Sequence, residues 1–153
     1  MRKTKIYMDA CCVNRPYDNQ SQDRIRLESE AVLIVMQHCQ SKEWEWIGSE
    51  VLDFEIQQMP NLEKKRRVEL LISHVHHVVP LQSSEKERGK YLQTLGFHTF
   101  DALHIACAES GNADVFLTTD GKILKKGSSF SQELKVRVID PVTWLMEVTK
   151  WKD

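Results

Sequence analysis

The sequence lacks three features that would each indicate a different class of protein. No apolar run approaches the roughly 18 residues that a membrane-spanning helix requires, so no membrane protein is expected. The first residues lead into a predicted strand without the apolar stretch of a secretory signal, which favours a cytoplasmic protein. The formal net charge of -1 excludes a global basic field, so binding to nucleic acid would need a local basic patch or a bound metal.

Cysteine and histidine are too scattered to form the usual disulfide or zinc frameworks. The four cysteines contain no CxxC pair, and Cys11 and Cys12 are adjacent, so we expect reduced thiols. We interpret this adjacent pair as small buried side chains rather than as nucleophiles. The histidines at 74, 76 and 77 lack a second ligand pair for zinc, and we expect them at an exposed strand end.

The 153 residues show no internal repeat, linker or low-complexity segment, which favours a single domain over residues 1–153. Strand-like and helix-like segments alternate along the chain. The predicted strands are 5–9, 45–48, 75–81, 114–119 and 135–139. The predicted helices are 23–41, 50–59, 62–74, 85–95, 100–108 and 141–148, and residues 10–22 are expected to form a loop. This alternation predicts an α/β fold with a mainly parallel central sheet.

Four acids stand where a strand or an apolar run gives way to a turn or helix: Asp9, Glu55, Asp101 and Asp120. Ligands of open parallel sheets bind at the carboxyl ends of the strands, so Asp9 and Asp120 would share a crevice if their strands are neighbours. Carboxylates that lie close together raise one another's pKa, and Mg²⁺ or Mn²⁺, which prefer oxygen ligands, would relieve the repulsion. The chemistry that this set predicts is phosphodiester hydrolysis.

Each of the four acids also has a plainer structural interpretation. Asp9 fits a solvated acid at a strand end, and Glu55 fits an exposed residue of an amphipathic helix. Asp101 fits a helix N-terminal acid that the helix dipole stabilises. Asp120 fits the first residue of an Asp-Gly turn. One fold that brings all four together is nevertheless simpler than four independent coincidences.

Several other polar residues are assigned less specific roles. We interpret Asp114 as a turn residue and His104 as a packed, hydrogen-bonded histidine. The basic run 64–67 is most simply a solvated helix face, with contact to an RNA backbone as the alternative. Arg15 and Arg24, near the loop after the first acid, are the residues that we expect to steer RNA phosphate.

Four segments carry a resemblance to a known family: IYMDACCVNRP, SEVLDFEI, FDALHIACAE and FLTTDGKIL. In this order and spacing, over about residues 5–125, they resemble the signature blocks of PIN-domain proteins, in particular VapC-type toxins of bacterial toxin–antitoxin modules. The resemblance implies a three-layer α/β/α sandwich and a ribonuclease dependent on Mg²⁺ or Mn²⁺. It also implies an RNA substrate, products with a 5′-phosphate and a 3′-hydroxyl, an antitoxin partner and a homodimer.

The same resemblance assigns roles to individual residues. The four acids match the family's catalytic and metal-binding acids by position. Three of them, Asp9, Asp101 and Asp120, would hold the metal ions, and Glu55 would bind a second ion or orient the attacking water. Thr118 matches a Ser or Thr that would support Asp120. The start Asp9-Ala10-Cys11 departs from the typical Asp-Thr/Ser-Asn/Ser and removes a hydroxyl beside the first acid.

Two other functions remain open on the sequence. One is a catalytically inactive regulatory or RNA-binding PIN protein, which the intact set of four acids disfavours. The other is a phosphotransfer domain of receiver or haloacid-dehalogenase type, in which Asp9 is itself phosphorylated. The dehalogenase type needs a second Asp two residues later, where this chain has Cys11.

Overall fold

The computed structural model describes residues 2–149, so residue 1 and residues 150–153 of the predicted domain lie outside the described part. The five strands are β1 Lys5–Met8, β2 Glu45–Ser49, β3 His77–Val79, β4 Val115–Leu117 and β5 Arg137–Ile139. The eight helices are α1 Ala10–Asn14, α2 Asp23–Gln40, α3 Glu50–Gln57, α4 Leu62–Ile72, α5 Ser83–Thr94, α6 Thr99–Ser110, α7 Gly121–Ser129 and α8 Pro141–Val148. A 3-10 turn covers Arg15–Tyr17. None of the helices in this range is long and apolar enough to cross a bilayer.

All five strands pair in parallel, in the order β3-β2-β1-β4-β5. The central strand β1 pairs with β2 through Ile6 and Trp46, and with β4 through Ile6 and Val115. The chain winds from β1 towards one edge and then returns to place β4 on the other side of β1. The topological switch point therefore lies between β1 and β4, where an open parallel sheet forms its ligand crevice.

Helices cover both faces of the sheet because alternate side chains of the buried strands enter two different apolar clusters. Ile6 and Met8 belong to the cluster that includes side chains of α2, α4 and α8. Tyr7 belongs to the cluster formed with α5, α6 and α7. All three residues are fully buried, as expected for a central strand of a parallel sheet. The result is a PIN-like three-layer α/β/α fold, and the predicted fold class is confirmed.

Glycines follow two helices for different reasons. Gly96 follows α5 with a φ of 106°, a left-handed conformation that glycine adopts without strain, and it ends the helix as the sequence predicts. Gly111 ends α6, where an added Cβ would lie 2.8 Å from methyl groups of both Ile47 and Val79. These contacts require glycine and keep α6 close to the β2–β3 side of the sheet.

Two helices were not predicted from the sequence. Residues 10–22 were expected to form a loop, but α1 begins directly after Asp9, which caps it. The helix α7 follows Asp120, where the sequence suggested only an Asp-Gly turn. Both helices are short and include residues that disfavour a helix, such as Asn in α1 and Gly and Ser in α7, so tertiary contacts help to stabilise them. In α7, Ile123 is buried and Gly127 packs so closely against Val138 that a Cβ would clash with it.

Candidate metal centre

Asp9 is the most deeply buried of the four candidate acids. As the N-cap of α1, it accepts a 3.1 Å hydrogen bond from the Cys12 backbone N–H through Oδ1. Its Oδ2 accepts a 2.7 Å hydrogen bond from the Thr118 hydroxyl, and the residue is 3% exposed. Burial raises the pKa of Asp9 to about 6, while His104 and the Thr118 hydrogen bond act in the opposite direction. The carboxylate is thus held in one orientation and is unfavourable as an isolated charge.

Thr118 joins the carboxyl ends of β1 and β4. Besides donating to Asp9, its Oγ1 accepts a 3.1 Å hydrogen bond from the Asp120 backbone N–H. Asp120 caps α7, and its Oδ1 accepts hydrogen bonds from the backbone N–H groups of Lys122 at 2.8 Å and Ile123 at 3.3 Å. The resemblance implies that Thr118 supports Asp120; in the structure its hydroxyl contacts the side chain of Asp9 and the backbone of Asp120.

Among the described residues, the carboxylate of Asp101 has the fewest hydrogen-bond partners of the four candidate acids. It lies in the first turn of α6 and is half-buried. Within residues 2–149 we find no hydrogen bond or ion pair that satisfies its oxygens. Burial raises its pKa, His104 lowers it, and the charges of Asp120 and Glu55 raise it further. This carboxylate therefore lies among other acids, whose effect His104 and His98 oppose.

Glu55 reaches the site from α3 and is held by a histidine of α6. Its Oε1 lies 2.7 Å from Nε2 of His104, whose side chain is 2% exposed. The other ring nitrogen, Nδ1, lies 2.6 Å from the hydroxyl of Tyr7, and that hydroxyl lies 2.7 Å from Oγ of Ser49. The interpretation of His104 as a packed, hydrogen-bonded histidine agrees with these contacts, which also give it a direct contact to a candidate acid.

The hydrogen bonds from Ser49 through Tyr7 and His104 to Glu55 form a continuous chain. An ionised Glu55 can only accept, so Nε2 of His104 donates to it; when the imidazole is neutral, Nδ1 accepts from the Tyr7 hydroxyl. Ser49 then donates to Tyr7 while its oxygen accepts from the Leu52 backbone N–H at 3.0 Å. Burial raises the pKa of Tyr7 well above its ordinary value, so Tyr7 remains a neutral donor. This chain of hydrogen bonds extends out of the protein core and orients the side chain of Glu55.

Replacing Tyr7 by Phe is expected to lower the free energy of unfolding by about 1–3 kcal/mol, because buried Ser49 and His104 would lose their shared partner. Urea denaturation at neutral pH measures the loss. Tyr91→Phe is a matched control, since the Tyr91 hydroxyl bonds Glu133 at the surface and its loss should change stability by less than about 0.5 kcal/mol. Equal effects of the two substitutions would contradict the proposed chain.

The four acids, which we call the acidic cluster (Asp9, Glu55, Asp101 and Asp120), act electrostatically on one common neighbour. Desolvation by the surrounding protein raises the pKa of the Cys11 thiol, and the charges of all four acids raise it further. The structure therefore brings the four acids into one electrostatic neighbourhood at the carboxyl edge of the sheet.

The two adjacent cysteines differ in their exposure. Cys12 is buried, as expected from the sequence, but Cys11 is exposed, so the expectation of a buried residue was wrong for Cys11. The reason is the unpredicted helix α1, which turns successive side chains by about 100° and so sends neighbours in the sequence to different faces. Cys11 thus takes part in the surface of the site rather than in the core.

The donor chemistry of the acidic cluster fits Mg²⁺ or Mn²⁺. All four groups are carboxylates, which these hard cations prefer as ligands. Burial raises the pKa of both Asp9 and Asp101, and a divalent cation would offset the unfavourable charge. Over residues 2–149, however, no three Asp, Glu, His or Cys side chains lie close enough to form a ready-made metal-binding group. Metal binding would therefore require the carboxylates to move closer together.

The raised pKa of Asp9 predicts that the metal-free protein is more stable at mildly acidic pH than at neutral pH. An unfolded Asp titrates near 3.9, whereas folded Asp9 titrates at about 6, so the folded state binds more protons between these values. The free energy of unfolding should therefore fall as pH rises from about 4 to about 6 and then level off. The contribution of Asp9 to this fall should be roughly 2–3 kcal/mol.

Urea denaturation in EDTA across this pH range tests the prediction on the wild type and on Asp9→Asn. The wild type should lose stability relative to the variant as pH rises, because only the wild type develops the buried charge. Parallel pH profiles for the two proteins would show that Asp9 titrates normally and would contradict the prediction.

The two arginines proposed to steer phosphate share one partner, the buried Glu28. Arg15 donates from Nε to Glu28 at 2.8 Å and from Nη1 to Asp18 at 3.0 Å, and its side chain is mostly buried. Arg24 donates to Glu28 at 3.1 Å and to the carbonyl of Thr119 at 3.3 Å, and its side chain is mostly exposed. Arg24 therefore lies beside the acidic cluster and open to a ligand, whereas Arg15 is largely occupied by structural contacts.

Two other charged segments lie in ion pairs. In the basic run 64–67, Lys64 contacts Asp18 at 2.6 Å and Arg67 contacts Glu63 at 2.8 Å. Asp114 precedes β4 and accepts a 2.8 Å hydrogen bond from the backbone N–H of Lys5, at the start of β1. Asp114 therefore lies at the amino edge of the sheet, opposite the acidic cluster.

No protein-family model and no curated protein matches the sequence. Several solved structures do match the fold. Crystal structures similar to this chain include FitAcB from Neisseria gonorrhoeae, at a TM-score of 0.59 and 16% identity over 89% of this chain and 97% of that chain. VapBC2 from Rickettsia felis, bound to a DNA fragment from its promoter, matches at a TM-score of 0.57 and 12% identity over 88% of this chain and 98% of that chain. PAE2754 from Pyrobaculum aerophilum matches at a TM-score of 0.54 and 16% identity over 95% of both chains.

The fold is PIN-like. At 12–16% identity the likeness concerns the backbone arrangement, and it extends over most of each chain. The acidic cluster lies at the carboxyl edge of this fold, with Asp9 and Asp120 on the two sides of the switch point.

Proposed function

We propose that this protein is a metal-dependent endoribonuclease that hydrolyses RNA phosphodiesters, and that it is the toxin of a type II toxin–antitoxin module. The observation that supports the nuclease function best is the placement of four acids from β1, α3, α6 and β4 at one edge of the sheet. The similarity to the FitAcB and VapBC2 structures supports a toxin–antitoxin PIN nuclease at the level of the fold.

The proposed roles follow from the contacts of each acid. Asp9, Asp101 and Asp120 would hold Mg²⁺ or Mn²⁺, and Thr118 fixes the orientation of Asp9. When bound, the metal would activate water and stabilise charge on the scissile phosphate. Glu55 uses Oε1 to contact His104, which leaves its second oxygen for water or a second ion.

The charge of the site means that a bound metal would strengthen its affinity for RNA. The acidic cluster repels phosphate, and the net charge of -1 supplies no compensating field. Arg24 is the exposed arginine that we assign to the phosphate backbone, because it contacts the carbonyl of Thr119, next to Asp120. Its guanidinium would lie at the rim of the site, where a strand of RNA enters.

We further propose an antitoxin partner, a homodimer and a cytoplasmic location. The antitoxin is supported by the likeness to FitAcB and VapBC2, the second of which was solved with DNA from its promoter. The cytoplasmic location agrees with four free cysteines in the structure. An antitoxin segment that inserts into the acidic crevice would block the nuclease.

The function is tested by incubating the purified protein with single-stranded and structured RNA in Mn²⁺, in Mg²⁺ and in EDTA. We expect cleavage with either metal, none in EDTA, and products with 5′-phosphate and 3′-hydroxyl ends. Cleavage that persists in EDTA, or products with a cyclic 2′,3′-phosphate, would contradict a metal-dependent mechanism. RNA binding without cleavage under every metal condition would indicate the catalytically inactive alternative.

A further inference from the structure

Two phenylalanines form an exposed aromatic pair beside the acidic cluster. The rings of Phe54 and Phe100 are stacked, with centroids 6.0 Å apart and planes inclined by 26°. Phe54 is 51% exposed and Phe100 is 41% exposed. Aromatic side chains of this size are normally covered by other protein atoms, so a stacked pair left half open to solvent indicates a surface that a ligand could cover.

The position of the pair connects it to the proposed chemistry. Phe54 precedes Glu55 in α3, and Phe100 precedes Asp101 in α6. The same two helices are joined in the interior by the hydrogen bond between Glu55 and His104. The ring pair is thus the solvent end of the contact between α3 and α6, and a molecule lying on the rings would also lie against the acidic cluster.

The size of the pair favours a small flat occupant over a protein. Two half-exposed phenylalanine rings offer roughly 200 Å² of apolar surface, whereas each side of a stable protein interface buries about 800 Å². A nucleobase is flat, has two π-faces and matches one or two such rings in area. The pair is therefore the size of a stacking site for a base.

The surrounding charge indicates which part of a nucleotide would lie there. Glu55 and Asp101 follow the two phenylalanines directly, and their carboxylates repel a phosphate group. A base is uncharged and can stack on the rings without this repulsion. The phosphate would instead lie over the metal-loaded acidic cluster, with the base turned to the side.

We propose that Phe54 and Phe100 form a stacking platform for an unpaired base next to the scissile phosphate. This proposal rests on the nuclease function proposed above and narrows its substrate to RNA with unstacked, single-stranded bases. Bases inside an A-form duplex already stack on their neighbours and present no free face to the rings. The platform would select single-stranded segments without reading their sequence, because every base has a π-face.

The test compares the wild type with the double variant Phe54→Leu/Phe100→Leu, which keeps apolar side chains but removes both rings. Fluorescence anisotropy in EDTA, where metal-dependent cleavage cannot proceed, gives the affinity for a short labelled single-stranded RNA. The same measurement uses an RNA of equal length with abasic sites, and a duplex of the same sequence. Leu70→Ala is the control, because Leu70 is an exposed apolar residue of α4.

We expect the wild type to bind the single strand about tenfold or more tightly than the abasic strand, and the double variant to lose most of this preference. Affinity for the abasic strand should be the same in both proteins, and Leu70→Ala should behave as wild type. A double variant that retains the preference for bases would overturn the platform, as would a wild type that binds all three RNAs equally or binds none.

Two further measurements distinguish base stacking from a contact between subunits, and the platform from the nuclease activity. Light scattering gives the molar mass of wild type and variant, and a change of mass on removing the rings would overturn the platform by showing a contact between subunits. Cleavage in Mn²⁺ is measured separately. If the rings give a preference for bases but no RNA is cleaved, the stacking platform stands and the proposed nuclease activity is refuted. If RNA is cleaved but removal of the rings changes nothing, only the stacking platform is refuted.

Discussion

An Asp9→Asn variant is expected to cleave RNA about a thousandfold more slowly than the wild type, while folding at least as stably. Asparagine keeps an oxygen that accepts from the Cys12 N–H, and its amide can donate to Oγ1 of Thr118. It removes the charge that a metal ion requires. Burial already makes this charge unfavourable in the metal-free protein, so its loss should not reduce stability.

A suitable control is Asp140→Asn. Asp140 also follows a parallel strand, β5, and also caps a helix, with Oδ1 accepting from the Thr143 N–H at 2.9 Å. It differs in that it is not among the charges that shift the pKa of Asp9, Asp101 or Cys11. Full activity in Asp140→Asn and almost none in Asp9→Asn would support the assignment, while equal activities in the two variants would refute it.

Mn²⁺ or Mg²⁺ is expected to raise the melting temperature of the wild type by about 5–10 °C at a hundredfold excess over the dissociation constant. The physical reason is the repulsion at Asp101, whose pKa is raised by burial and by the charges of Asp120 and Glu55. A bound cation would relieve this repulsion in the folded state only. Thermal unfolding in EDTA, followed by the same scan with added metal, measures the shift without any RNA.

The variant Asp101→Asn should lose most of this metal-dependent shift. It should also melt at a slightly higher temperature than the wild type in EDTA, because one charge has left the acidic cluster. Asp140→Asn should retain the full shift. A shift of the same size in Asp101→Asn and wild type would mean that the metal binds elsewhere, and no shift in the wild type would mean that the acidic cluster does not bind it.

Much of the fold could be predicted because strand-like apolar runs alternate with helix-like segments along the chain. The alternation of the two patterns identified all five strands, six of the helices and the parallel sheet. The helix α1 was missed because it has only five residues, and α7 was missed because GKILKKGSS contains two glycines and two serines. Both begin at an acid of the cluster, so the residues that suggested turns are in fact helix caps.

The positions of the candidate acids could be inferred from the sequence, but their partners could not. Thr118 donates to Asp9 across 109 residues, and His104 contacts Glu55 across 49 residues. Such contacts depend on the order of the strands and on how α3 packs against α6, which periodicity does not reveal. The nearest available signal was the spacing of His104 one helical turn after Asp101, which placed it on the same face.

The contacts of Asp9 also bear on the phosphotransfer alternative. In such a domain one carboxylate oxygen of Asp9 would bond to phosphorus. Both oxygens already accept hydrogen bonds, from Cys12 and Thr118, and the residue is 3% exposed. Phosphorylation would displace one of these partners in a buried site, so the geometry disfavours Asp9 as a nucleophile.

The central claim is that the acidic cluster binds a divalent metal, and the most direct measurement is the anomalous scattering of Mn²⁺ in crystals of the wild type. We predict an anomalous peak between Asp9, Asp101 and Asp120, coordinated by their carboxylate oxygens, that is absent from crystals of Asp9→Asn grown in the same way. A peak at another surface, or an empty acidic cluster at saturating Mn²⁺, would contradict the claim.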